Sequence, residues 1–254
     1  MKIISIGLDG LVAAAEKGFF EWMIQQEADV ICIQGTHSDE YELVDAKYHP
    51  EPYFGHFYDA VEPGKGGVAI YCKKQPRAIM RGFGYLLADI EGRYIQADYE
   101  EVSIVSVSLP QANGDESRQQ ERRQFMEKLL QHLIKIRNKR REFILCGDFQ
   151  VAHLDIDSLN AESDDNYCFV EEDRQWLDDI FDAAGYNDAF REVNHQPNQY
   201  SWHPTQDRDD YLRDAWRVDY QIITNSLSPR VESAEFDAQA KFSSHLPLII
   251  DYAI

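Results

Sequence analysis

From Lys2 to Leu8 the chain is mostly apolar, and Leu11, Val12, Phe19, Phe20, Trp22 and Met23 then follow at helical spacing. A second apolar run at 28–33 comes next, so the opening predicts a strand–helix–strand unit. A Gly66-Gly67 turn opens a further strand through Tyr71, and alternation over 93–99 and 102–108 predicts two strands joined by a short hairpin. Residues 116–138 carry Phe125, Leu129, Leu130, Leu133, Ile134 and Ile136 in a largely helical repeat. Trp176, Leu177, Ile180 and Phe181 predict a helix over 173–184 that Gly185 stops. Strands at 142–146, 217–223 and 247–253 complete the pattern. Strands interleaved with helices, hairpins included, predict a layered α/β fold with mixed sheets. The length of 254 residues suits one domain over 1–254.

Charge narrows the function. The formal net charge is −20, whereas proteins that grip duplex DNA neutralise its phosphates with Lys and Arg. Most of this surface should therefore repel a duplex. A local exception is the run Lys135, Arg137, Lys139, Arg140 and Arg141, just before the strand at 142–146. Cations there suit a helix C-terminus, but their density in an acidic chain also marks them as candidates for contact with RNA or a partner. Cys32, Cys72, Cys146 and Cys168 have no C-x-x-C spacing, so no zinc site is expected. Buried free thiols suit a reducing, cytoplasmic setting. MKIISIGL reads as an opening strand rather than a signal peptide, and no apolar run is long enough to span a bilayer. The aromatic-rich segment 41–58 is expected to cover a sheet edge, with a base-stacking platform as the other reading.

The chemistry concentrates in four places: MKIISIGLDGL at the start, FILCGDFQVAH at 143–153, WRVDY at 216–220 and FSSHLPLIIDY near the end. Together these resemble the exonuclease III and abasic-site endonuclease branch of the endonuclease/exonuclease/phosphatase superfamily. That resemblance implies two mixed sheets packed face to face between helical layers. It also implies metal-dependent phosphodiester hydrolysis at eight positions, three of which match: Asp148 as the base for water, Asp219, and His245 beside the phosphate. Five differ. Gly7 and Gly35 stand where the family keeps an Asn and a Glu that hold Mg²⁺, and Ser108 where it has a Tyr near the phosphate. Gln150 replaces an Asn, and Ser244 replaces the Asp that the family pairs with the His.

Mg²⁺ is usually held by only one or two carboxylates plus waters and phosphate, so losing the Glu removes much of the hold. A base alone contributes only about 10²–10⁴-fold. The expectation is a catalytically degenerate chain with no metal or other cofactor, similar to the catabolite repression control branch of the family. That likeness implies a translational repression accessory that joins the RNA chaperone Hfq on A-rich mRNA, without strong nucleic-acid binding of its own. Arg137, Lys139, Arg140, Arg141 and, more weakly, Arg230 are its contact candidates. The alternative is an exodeoxyribonuclease or abasic-site endonuclease with a rearranged metal site, to which Asp9 could contribute.

Overall fold

The computed structural model describes residues 1–111, 116–139, 141–159, 168, 170–203 and 215–254. Strands β1 (Lys2–Gly7), β2 (Val30–Gln34), β3 (Phe54–Tyr58) and β4 (Val68–Cys72) enter a first sheet. A second sheet takes β5 (Ala78–Arg81), β6 (Tyr94–Asp98), β7 (Val102–Ser108), β8 (Glu142–Asp148), β9 (Tyr186–Asp188) and β10 (Asp219–Thr224). The chain then returns to the first sheet with β11 (Val231–Phe236) and β12 (Leu248–Tyr252). The spatial orders are β11-β12-β1-β2-β4-β3 and β5-β6-β7-β8-β10-β9. In each sheet one parallel pair, β1–β2 or β7–β8, is flanked by antiparallel neighbours.

Side-chain alternation builds the layers. On β1, Ile3 enters the core between the sheets, while Ile4 and Ile6 pack outward with Leu11 and Ala14 of α1 (Leu11–Glu16) and Phe19, Phe20 and Met23 of α2 (Phe19–Gln25). The second sheet buries its outer face, through Val105, Val107 and Leu145, against Ala88 of α3 (Leu86–Ile90), Phe125, Leu129 and Leu133 of α4 (Glu116–Arg137) and Trp176 of α5 (Glu171–Asp178). The result is the expected pair of mixed sheets between helical layers. Polar side chains stitch the sheets together: Gln34 Nε2 donates to Ser106 Oγ at 2.9 Å, and Gln221 Nε2 donates to the carbonyls of Ile3 and Leu248 at 3.1 and 3.2 Å.

The predicted hairpin forms, with Tyr99 N donating to Val102 O at 2.9 Å. The helix expected over 173–184 begins as α5 but passes into a π-helical turn at Asp179–Ala183 before Gly185 stops it with φ of 79°. Strands β3, β5, β9 and β11 were not expected, and β3, β5, β9 and β11 are the edge strands of the two sheets. In β5 and β11 exposure erases the alternation that marks an interior strand, and β9, with 3 residues, is too short to show one. Tyr48 and Tyr53 of the aromatic segment are buried beside edge strand β3, whereas Tyr41 is exposed. All four cysteines are buried free thiols. Among the described residues, no helix is long and apolar enough to cross a membrane.

Candidate active site

Both parallel pairs point their carboxyl ends to one side of the molecule, where crevices in α/β folds collect ligands. Register brings the residues together. Gly7 pairs with Gln34 across β1–β2, Ser108 with Asp148 across β7–β8, and Asp148 with Asp219 across β8–β10. Like charges directly opposite on a sheet are unfavourable, so the Asp148–Asp219 pairing is a feature that stability alone does not ask for. These ends surround a cleft of about 420 Å³ lined by Gly7, Gly35, Ser108, Asp148 and His245, with Asp9 and Arg93 on its wall. A larger hollow, about 680 Å³, lies at the opposite strand ends among Val30, Val102, Glu142 and Arg230, away from the paired carboxylates.

His245 stands on the segment leading into β12. Its backbone N donates to Ser243 Oγ at 2.9 Å, and that hydroxyl donates to Gly7 O at 2.7 Å, fixing the segment over the end of β1. The ring lies with Nδ1 2.8 Å from Asp219 Oδ2 and Nε2 3.9 Å from Asp148 Oδ2. His245 therefore has a carboxylate partner, contrary to the expectation drawn from Ser244. The partner is Asp219, 26 residues away, rather than its chain neighbour. Ser244 meets another acid, with its N 3.0 Å and its Oγ 3.3 Å from the Asp9 carboxylate.

Burial and charge set the protonation states. Burial of the His245 ring works against its charged form, but Asp219 and then Asp148 outweigh it and hold the pKa up at about 9. Burial pushes Asp148 up to about 6; His245 pulls it down, Asp219 pushes it further up, and Gln150 pulls it down. Near neutral pH the site thus combines an imidazolium with a carboxylate poised for proton transfer. Gln150 explains part of that poise. The extra methylene lets its amide fold back, and Nε2 lies 2.6 Å from both Asp148 oxygens.

The two glycines at the former ligand positions are built into the backbone. A Cβ at Gly7 would sit 2.9 Å from His245 Cγ, so the ring fills the space of a side chain there. Gly35 has φ of 71°, and a Cβ on it would meet Leu8 O at 2.4 Å. Among the described residues, Asp148 and Asp219 offer a divalent cation their carboxylates beside the His245 ring, the side-chain ligand atoms of the three lying within 4.8 Å of one another. Asp219 Oδ1 is buried without a hydrogen-bond partner, and buried carboxylates are rarely left so. Two hard oxygen donors, one of them bare, fit Mg²⁺ or Mn²⁺.

WRVDY supplies more than Asp219. Arg217 is wholly buried, with Nε and Nη2 donating to the two Asp157 oxygens at 2.8 and 2.9 Å. Asp188 Oδ2 lies 2.7 Å from Nη2, Arg191 also pairs with Asp157, and the guanidinium stacks 4.4 Å from the Tyr220 ring centroid. Burial would raise the Asp157 pKa, but Arg217 and then Arg191 hold it down at about 2. This ion cluster anchors the strand that presents Asp219.

The basic contact candidates scatter. Arg137 Nε donates to Gly185 O at 3.1 Å, Arg141 Nη2 to Tyr99 O, and Arg230 Nη1 to Ala253 O at 3.0 Å. Each thus has a backbone carbonyl to hold. Lys139 follows the end of α4, and Arg140 lies outside the described residues. Arg137, Lys139, Arg141 and Arg230 do not line the cleft that holds Asp148.

Residues 12–245 match the model of the Endonuclease/Exonuclease/phosphatase family. The chain belongs to that family. Within it, the chain is 32% identical to an exodeoxyribonuclease of Bacillus subtilis over 252 residues, 98% of each protein. It is 29% identical to the DNA repair nuclease APEX1 of Danio rerio, over 100% of this chain and 83% of that one. An AP endonuclease from Archaeoglobus fulgidus shares the fold, with a TM-score of 0.90 at 23% identity over 100% of both chains.

These likenesses point to the exonuclease III and abasic-site endonuclease branch and do not single out the catabolite repression control proteins. They correct three expectations. The translational repression accessory gives way to a nuclease-like chain, because the relatives are named as nucleases across nearly its whole length. The non-enzyme expectation is overturned on the same ground, since those relatives are named as enzymes, and the Asp219–His245 pair stands against it as well. The expected absence of a metal gives way to the buried Asp148–Asp219–His245 group.

Proposed function

We propose that this protein is a metal-dependent phosphodiester hydrolase of the exodeoxyribonuclease and abasic-site endonuclease class, working through a rearranged site. The observation that carries the reading is the convergence of Asp148, Asp219 and His245 within 4.8 Å of one another, with Asp148 and His245 lining the cleft at the strand ends. Asp148, ionised above about pH 6, takes the proton from the attacking water. His245, charged below about pH 9 and oriented by Asp219, directs its other N–H at the phosphoryl oxygen on which charge develops. Asp148 and Asp219 would hold the divalent cation, which when bound supplies charge neutralisation at the phosphate and a more acidic water.

The likeness to an exodeoxyribonuclease and to a DNA repair nuclease supports DNA as the substrate. With a net charge of −20, long-range attraction to a duplex is weak, so binding depends on the cleft and the cation. The test is incubation of purified protein with a duplex containing an abasic-site analogue, with Mg²⁺ or Mn²⁺. Incision is expected and should disappear in Asp148→Ala. An intact duplex with either cation, at protein concentrations that saturate binding, would overturn the reading.

A further inference from the structure

Helix α4 has one charged residue in its buried stripe. Arg122, only 2% exposed, sits among Phe125, Met126, Leu129, Leu133 and Ile136. All three guanidinium nitrogens are engaged. Nε donates to Asp173 Oδ2 of α5 at 3.0 Å, and Nη1 donates to Pro110 O at 2.9 Å. Nη2 donates to Phe149 O and Gln150 O at 3.0 and 3.1 Å. Pro110 lies just past β7, whose last residue is Ser108, and Phe149 and Gln150 lie just past β8, whose last residue is Asp148. One side chain therefore ties together the two segments leaving the site.

Gln150 adopts φ of 53°, left-handed and unfavourable for a residue with a side chain. Its backbone N donates to Asp148 Oδ1 at 3.2 Å, and at this φ its side-chain amide lies over both carboxylate oxygens while its carbonyl turns toward Arg122. The Arg122 donors grip the carbonyls of Phe149 and of Gln150 itself, where that turn has to be held. A planar fork with fixed donor directions can do this, and a lysine ammonium cannot.

We propose that Arg122, clamped by Asp173, is a positioning residue: it holds the turn after β8 so that Gln150 meets Asp148 in one geometry, and thereby sets the carboxylate for the reaction. The kinetic part of this inference rests on the hydrolase reading, while the geometric part does not.

The test uses the full chain with Arg122→Lys, which keeps the charge opposite Asp173 but loses the fork. The side-chain amide signal of Gln150, assigned by its loss in Gln150→Asn, is followed by ¹⁵N NMR. In folded Arg122→Lys that signal should move to the position of a free glutamine. On the abasic duplex with Mn²⁺, kcat should fall by about 10²-fold with little change in KM. An unmoved Gln150 signal in a folded variant would overturn the inference. So would a moved signal with unchanged kcat in a protein whose wild type cuts. If the wild type does not cut, the hydrolase reading fails and the amide signal alone decides the positioning claim. If Arg122→Lys does not fold, Asp173→Asn, which leaves the guanidinium free to turn, gives the same readings.

Discussion

Replacing Asp219 by Asn removes the anion that holds His245 while keeping the shape of the side chain. The His245 pKa stands at about 9 against an ordinary 6.5, and Asp219 is the first of the charges that raise it. One pH unit corresponds to 1.36 kcal/mol, so a rise of that size carries roughly 3 kcal/mol of preference for the charged ring. Because the folded-state value is raised, this stabilisation is fully present below pH 6.5 and is lost as pH climbs through about 9. Asp219 also helps to push Asp148 up, so its neutralisation relieves part of that burden above pH 6. Both effects have the same consequence: wild type should exceed Asp219→Asn in stability by about 2–3 kcal/mol at acidic pH, with the gap closing toward pH 9. The assay is denaturant unfolding from pH 5.5 to 9.5, with the His245 imidazole followed by NMR. A gap that does not vary with pH, or a ring whose titration moves by less than about half a unit, would refute the pairing of His245 with Asp219.

The rate of duplex incision should fall at low pH as Asp148 takes up a proton and at high pH as His245 loses one, with the cation on Asp148 moving the acid limb below the metal-free value of about 6; a rate that does not change with pH would exclude these roles. Gly35→Glu should not restore a metal ligand. Its Cβ would lie 2.4 Å from Leu8 O in a left-handed backbone, so the variant should lose about 1–3 kcal/mol of stability without a gain in Mg²⁺ affinity by calorimetry. Asp157→Ala should leave the buried Arg217 with Asp188 as its remaining carboxylate and cost about 3 kcal/mol by thermal unfolding, the low end for breaking a buried ion pair. As the Asp157 pKa is depressed to about 2, its contribution in wild type persists above pH 4 and fades only as pH falls toward 2.

The central strands and α4 were legible because each carries a pattern of one period with both ends marked. Edge strands β5 and β11 were not, since they bury almost none of their side chains fully and need a neighbour rather than a pattern to form. Asp148, Asp219 and His245 could be picked out individually, yet their relation could not. The His245 partner lies across a sheet boundary, while the serine beside it in the chain offered a misleading cue. The same holds for Gln150, where one extra methylene reads as a loss until the turn at φ of 53° places the amide on Asp148. Arg122 did leave a trace, as a lone charge within the apolar stripe of a helix, which is a signal for a buried, fully bonded cation. The basic residues around 135–141 read as one patch, but Arg137 and Arg141 serve different backbone carbonyls.

The most direct measurement is anomalous diffraction from a crystal of the protein soaked in Mn²⁺. The expected result is a single strong peak in the cleft, at about 2.0–2.2 Å from Asp219 Oδ1 and from an Asp148 oxygen, with the Gln150 amide displaced from at least one carboxylate oxygen. A cleft without a peak, with Gln150 still bonded to both Asp148 oxygens and Asp219 Oδ1 still bare, would contradict metal-dependent hydrolysis at this site.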